Sequence, residues 1–213
     1  MKKLTALSII LCASLACAAQ IGKGKSVIAG FVSYYSSSHE VSSTTNTHDY
    51  TIFSLSPRYG YLVSNGTELG INIGYFSTTA DNTDNGPFPS SYESTENSFF
   101  IGPYAKFYES LAEKFYFNFS GGFSYYTGSN KETNTSTFNS DTQEADISEY
   151  RFTAGPGLTY LFNNHWAMDL SLGVLTYDST KKTDKESKVS TTDTYFTFRL
   201  NASEIGFGLE FYF

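Results

Sequence analysis

Bulky apolar residues recur at every second position in several stretches of the chain. At its end Ile205, Phe207, Leu209, Phe211 and Phe213 alternate with Gly206, Gly208, Glu210 and Tyr212. The same alternation sets Leu69, Ile71, Ile73 and Tyr75 against Gly70, Asn72 and Gly74. It sets Phe115, Phe117, Phe119, Phe123 and Tyr125 against Asn118, Ser120, Gly122 and Ser124, and Trp166, Met168, Leu170, Leu172 and Val174 against Asp169, Ser171 and Gly173. A period of two marks a β-strand with unlike faces. Eight strands are predicted, over 26–36, 49–63, 67–78, 95–108, 114–127, 147–162, 166–178 and 193–213. In the first, Val27/Ala29/Phe31 and Ile28/Gly30/Val32 are equally apolar, and the register stays open.

The connections alternate in length. Ser64-Asn65-Gly66, Glu109 to Glu113 and Asn163-Asn164-His165 are short. The stretches 37–48, 79–94, 128–146 and 179–192 are long and rich in Ser, Thr, Asn, Asp, Lys and Glu, and read as loops. Pro57-Arg58-Tyr59-Gly60-Tyr61, Pro103-Tyr104-Ala105-Lys106-Phe107 and Pro156-Gly157-Leu158-Thr159-Tyr160 each precede a short turn, so the repeating unit is a hairpin. Proline cannot donate to a strand ladder, which makes each of these a bulge or a weak pairing point.

Residues 1–19 read as a signal peptide. Lys2 and Lys3 supply the charge, Leu4 to Leu15 the apolar run and Ala16-Cys17-Ala18-Ala19 the cleavage zone. For a lipoprotein signal through Cys17, Ser14 stands where Leu is expected. Both cysteines, Cys12 and Cys17, fall in this segment, so residues 20–213 form one domain with no disulfide or thiol chemistry to propose. No later apolar run is long enough for a spanning helix. The chain carries a net charge of −7, and loss of Lys2 and Lys3 takes it to −9, which argues against nucleic acid as a partner. Aromatic residues make up 17% of the chain, more than an ordinary core needs.

Period two does not say which face points outward. The polar face carries Arg58, Lys106, Arg151, Asp169, Glu204 and Glu210, three cations and three anions. In a soluble, lipocalin-like barrel these would be solvated. In a narrow membrane barrel they would meet inside, where unpaired charge is costly and a balanced set is expected. The small residues on that face also suit an interior. The expected fold is all-β, an eight-stranded antiparallel up-and-down transmembrane β-barrel.

The Phe211-Tyr212-Phe213 end and the strand pattern resemble the small outer-membrane β-barrel family that includes OmpX, OmpW and the barrel domain of OmpA. The resemblance covers residues 20–213 and rests on pattern. It implies residence in the outer membrane among lipid and lipopolysaccharide, as a monomer. It also implies insertion by the outer-membrane assembly machinery, which would read Phe207, Leu209, Phe211, Tyr212 and Phe213. Members act as surface or envelope-structural proteins, or as narrow channels for small or apolar solutes. Others are lipid A-modifying enzymes that use His with Ser. Here His165 falls in a turn beside Trp166, and His39 and His48 lie among Ser and Thr in the first long loop. Gln20 to Lys25 is too short for the amphipathic helix that precedes the barrel in the acyltransferase members. No cofactor or metal-ligand spacing is evident. The expectation is a barrel without catalytic activity.

Overall fold

A computed structural model describes residues 21–41, 46–199 and 206–213. The signal segment and Glu204 lie outside the described residues. The described chain forms ten antiparallel strands: β1 Ser26–Val41, β2 Asn46–Ser64, β3 Thr67–Asp84, β4 Ser90–Ala112, β5 Phe115–Ser136, β6 Ser140–Leu161, β7 Trp166–Ser171, β8 Val174–Asp184, β9 Ser190–Arg199 and β10 Gly206–Tyr212. Consecutive strands pair from β1 to β6, β7 follows β6, and β10 joins β7 to β1. This closes an eight-strand ring. Above β7, β8 also pairs with β6, and β9 pairs with β8.

The expected seventh and eighth strands are therefore each divided. The predicted strand 166–178 is split into β7 and β8 at Leu172-Gly173, opposite Pro156. Pairing of β6 runs from Ala154↔Leu175 to Gly157↔Ser171, a one-residue shift that takes up the missing proline N–H. Pro57 and Pro103 interrupt their ladders more gently. Leu55↔Tyr75 is followed by Arg58↔Asn72, and Ile101↔Tyr125 by Tyr104↔Gly122, with the register kept on both sides. The predicted strand 193–213 is divided into β9 and β10, and the residues between them are not described.

The long connections are a second correction. Most of 37–48, 79–94, 128–146 and 179–192 is strand, and the described hairpins turn only at 85–89, 137–139 and 185–189. Pairing continues almost to each tip, as in Asp84↔Ser90, Thr135↔Ser140 and Thr183↔Ser190. These segments alternate no apolar residues because neither face enters a core. Backbone ladders and pairs such as Thr133 Oγ1 with Thr142 Oγ1 (3.3 Å) hold them instead. At the opposite end β4 runs on to Ala112, so the expected turn 109–113 shrinks to Glu113-Lys114, with a register shift between Ser110 and Ala112. Gly66 makes the Asn65-Gly66 turn at φ +88°, where a Cβ would lie 2.7 Å from the Tyr108 carbonyl oxygen.

The two faces of the ring differ in chemistry. Large apolar side chains point outward and are exposed, among them Phe99 (63%), Phe196 (68%) and Phe207 (65%). Inside, Glu68, Lys106 and Glu210 are fully buried. Strand one settles with Val27 and Ala29 inward and Ile28 and Val32 outward. Outer aromatics collect at two levels. Near the short turns, Phe115 meets Tyr160 and Trp166 meets Phe211 (centroids 6.2 and 4.9 Å apart). Higher up, Phe53, Tyr75 and Phe99 form one group and Tyr125 meets Tyr150. Along β5 the levels are marked by Phe115 and Tyr125. At about 3.3 Å per residue and a tilt of about 40°, ten steps separate them by about 25 Å.

Candidate functional site

Seven of the eight ring strands send a polar side chain into one layer near the short turns. Arg58 comes from β2, Glu68 from β3, Lys106 from β4, Asn118 from β5, Thr159 from β6, Asp169 from β7 and Glu210 from β10, while β1 adds the small Ala29. Strand parity aims each of them inward. Lys106 Nζ donates to Glu210 Oε1 and contacts Asp169 Oδ1, both at 2.8 Å. Arg58 pairs with Glu210 and, at 3.5 Å, with Asp169. Asp169 Oδ1 also accepts from Asn118 Nδ2 (2.8 Å) and Thr159 Oγ1 (3.0 Å). That carboxylate is thereby surrounded by donors, as a buried charge requires.

Glu68 is held differently. Its two oxygens accept from the Tyr104 and Tyr108 hydroxyls, one each. Tyr108 reaches the Tyr212 hydroxyl at 3.2 Å, and Tyr212 donates to Glu210 Oε2 at 2.6 Å. The Arg58 guanidinium lies over Phe31 and Tyr104, and Lys106 Nζ lies 4.8 Å from the Tyr108 ring centroid. Beneath this layer Val27, Leu62, Tyr116, Leu161 and Ala167 form a small apolar cluster. Together these described residues make a floor whose centre is filled by side chains. Glycines let inner rings lie flat on the wall. A Cβ on Gly74 would sit 2.4 Å from the Phe100 ring, and one on Gly70 would sit 2.5 Å from Tyr104.

Of the six residues expected to gather inside, the structure brings together Arg58, Lys106, Asp169 and Glu210. Arg151 lies elsewhere. It pairs with Asp178 (2.5 Å) and Glu149 (2.7 Å), and sits over the Tyr126 ring at 4.6 Å, in a second layer nearer the hairpin tips. Between the layers is a cavity of about 110 Å³ lined by Arg58, Asn72, Tyr104 and small residues of β5 to β8. Sequence reasoning missed Glu68, although it shares parity with Gly70 and Asn72. It read Tyr212 only as part of the terminal aromatic pattern. Phe207, Leu209 and Phe213 of that pattern are exposed outward, and Phe211 stacks with Phe213 at 5.9 Å. His165 Nδ1 bonds the Tyr212 carbonyl (2.9 Å), whereas His48 Nδ1 bonds Asn82 Oδ1 (2.6 Å).

No protein-family model matches the chain, and no characterised protein matches it in sequence. Among solved structures it is similar to the N-terminal β-barrel domain of Pseudomonas aeruginosa OprF, with 13% identity, a TM-score of 0.35, and 90% of this chain and 99% of that chain covered. It is also similar to a major outer membrane protein from Thermus thermophilus, with 15% identity, a TM-score of 0.37, and 89% and 98% covered.

Proposed function

We propose that the protein is an integral outer-membrane β-barrel of eight staves, without catalytic activity, that presents tall polar hairpins at the cell surface. One observation carries this reading: the ring is inverted relative to a soluble protein. Among the described residues its outer face is an apolar belt between two aromatic levels, and its inner face is charged and buried near the short turns. Leaving one Phe or Leu side chain in water forfeits about 1.5–3 kcal/mol of burial, and a whole belt of them is stable only against hydrocarbon. The belt height of about 25 Å is that of a barrel's lipid-facing band.

In this reading β7 with β8 and β9 with β10 are single staves. The short turns and both chain ends lie on the periplasmic side, and lipid and lipopolysaccharide surround the belt of a monomer. The outward residues of Phe207 to Phe213 are the stretch offered to the assembly machinery. The filled floor favours a surface or envelope-structural role over conduction.

The test is heat-modifiable gel migration of the protein in the outer-membrane fraction, together with planar-bilayer recording. A boiled and an unboiled band at different positions, with no unit conductance, is the expected result. Recovery from the periplasm without detergent would overturn the membrane assignment, and reproducible unit conductance would overturn the closed floor.

A further inference from the structure

Above the Arg151 layer the inner wall carries one long row of side chains, fixed by register across five strands. His48 pairs with Asn82, Asn82 with Tyr92, Tyr92 with Asn134, and Asn134 with Asp141. Their parity is that of Arg58, Asn72, Lys106, Asn118 and Thr159, so the row faces inward. Directly opposed side chains of this kind stand about 4.5–5.5 Å apart at Cβ. The next row toward the tips is Asn46, Asp84, Ser90 and Ser136. The two rows line a cavity of about 370 Å³ at the mouth of the ring.

The chemistry of this lining is narrow. It holds amides, hydroxyls, two carboxylates, one imidazole and one aromatic ring, with no Lys, no Arg and no aliphatic side chain among the described residues. Two carboxylates, Asp84 and Asp141, in a lining without Lys or Arg disfavour phosphate, sulfate or sialic acid. A surface with one ring and no aliphatic group disfavours an acyl chain. What fits is a neutral molecule with many hydroxyls and a C–H face for the ring. Each Asn offers two N–H donors and a carbonyl acceptor, a match for adjacent hydroxyls. His48 Nδ1 at 2.6 Å from Asn82 Oδ1 must be the donor, because that oxygen only accepts. The contact holds the Asn82 carboxamide in place with its amino group still to be used. Among the described residues, neither the Tyr92 hydroxyl nor the Asn134 amide is engaged by another residue. The volume falls within the range of small-ligand sites, about 300–1,000 Å³, with room for a mono- or disaccharide.

We infer that the mouth of the ring is a binding site for neutral saccharides. Tyr92 is the stacking platform, and Asn82, Asn134 and Asp141 are the hydroxyl partners. The inference rests on the outer-membrane reading, since it needs this mouth to open to the cell exterior.

The test uses the full mature protein in detergent micelles, first shown to be folded by heat-modifiable migration. It is titrated calorimetrically with neutral hexose and N-acetylhexosamine oligosaccharides, with their sulfated and sialylated counterparts, and with spermidine as a purely cationic probe. One arm takes neutral oligosaccharides released from the cell's own envelope polysaccharide and another takes animal and plant glycans; binding in either arm supports the site and identifies the source. Neutral sugars should bind in the millimolar range or better, with anionic counterparts at least about tenfold weaker. Tyr92→Ala should weaken binding by about tenfold, the loss of one ring contact. If Tyr92→Ala does not migrate as folded, Asn134→Leu replaces it, with the same expectation. Absence of binding by every neutral sugar, tighter binding of spermidine or of the anionic sugars, or unchanged affinity in the folded variant would overturn the inference. Failure of the membrane reading would show separately, as loss of heat-modifiable migration in the unmutated protein.

Discussion

Replacing Lys106 with Met tests whether the floor is dry. Lys106 is fully buried and contacts two carboxylates at 2.8 Å, Asp169 and Glu210. Met fills a similar volume, so the packing of the floor changes little and the charge changes by one. Among the described residues, Arg58 is then the one cation of the layer facing Glu68, Asp169 and Glu210. Breaking a buried pair by removing one partner costs about 3–5 kcal/mol, whereas an exposed pair is worth about 0–1 kcal/mol. With a urea slope of about 2 kcal/mol per molar, the buried case lowers the unfolding midpoint by about 2 M. The single Trp, Trp166, stands on the outer face at the same end and reports unfolding by fluorescence, with gel migration as an independent probe. Adding Asp169→Asn to Lys106→Met removes one of the anions that Lys106 had compensated while keeping an oxygen for Asn118 and Thr159. The double variant should therefore lose less than the sum of the two single variants, by about 1–3 kcal/mol. A loss below about 1 kcal/mol for Lys106→Met would mean that water reaches the pair. The closed floor would then be wrong.

Three further perturbations probe the wall, the end and a tip. Gly74→Val would place side-chain atoms against the Phe100 ring and the Leu55 carbonyl, 2.4 and 2.6 Å from the new Cβ, whereas Gly121→Ala meets nothing nearer than 3.6 Å. The folded yield should collapse for the first and hold for the second; equal yields would show that the inner rings do not need the glycine. Deleting Phe213 should leave export intact and reduce assembly, and normal outer-membrane levels of that variant would sink its role in targeting. Asp184 accepts from the Ser187 hydroxyl (2.7 Å), the Ser187 amide (2.6 Å) and the Glu186 amide (3.1 Å), which hold its carboxyl below the usual range. A depressed carboxylate stabilises the tip at pH above the unfolded value of about 3.9, and that stability is lost as pH falls through the folded value. Protection of the amides over 184–190, taken relative to their intrinsic exchange rate at each pH, should accordingly fall in acid and in Asp184→Ala at neutral pH; protection insensitive to both would refute the turn's dependence on this carboxylate.

The belt was legible in the sequence because one face of each strand meets a different medium from the other. Leu69, Ile71 and Ile73 alternate with Gly70 and Asn72 for that reason alone. The upper halves of the same strands were not legible. At Ser129 to Ser136 neither face packs into an apolar core, so no apolar alternation is imposed, and a run of Ser, Asn, Lys, Glu and Thr has a loop's composition in a strand's conformation. The β-branched Thr133 and Thr135 favour that conformation, and the partner strand supplies the backbone hydrogen bonds. The floor was half legible. Parity aims Arg58, Lys106, Asp169 and Glu210 inward, but height along the ring decides which of them meet, and height depends on register. Arg151 shares their parity and sits a layer higher, with Asp178 and Glu149. Glu68 was overlooked because it lies two residues past Gly66, beside the turn, where a charged residue reads as solvated.

The molecule's order of construction follows from where its strong contacts lie. Buried ion pairs and tyrosine hydroxyls are concentrated at the end where the turns are short. There most ring strands are linked across the interior as well as to their neighbours. Further up, each hairpin is held by its ladder and by exposed pairs worth about 0.2–1 kcal/mol each. Stability must therefore fall from the floor toward the tips, and the segments that meet the environment are drawn from its low end. A row such as His48–Asn82–Tyr92–Asn134–Asp141 is placed by ladder register, set by the floor and the belt beneath it. Its side chains enter no core. They can be exchanged for others without disturbing how the ring closes, so recognition at the mouth is free to vary while assembly stays fixed.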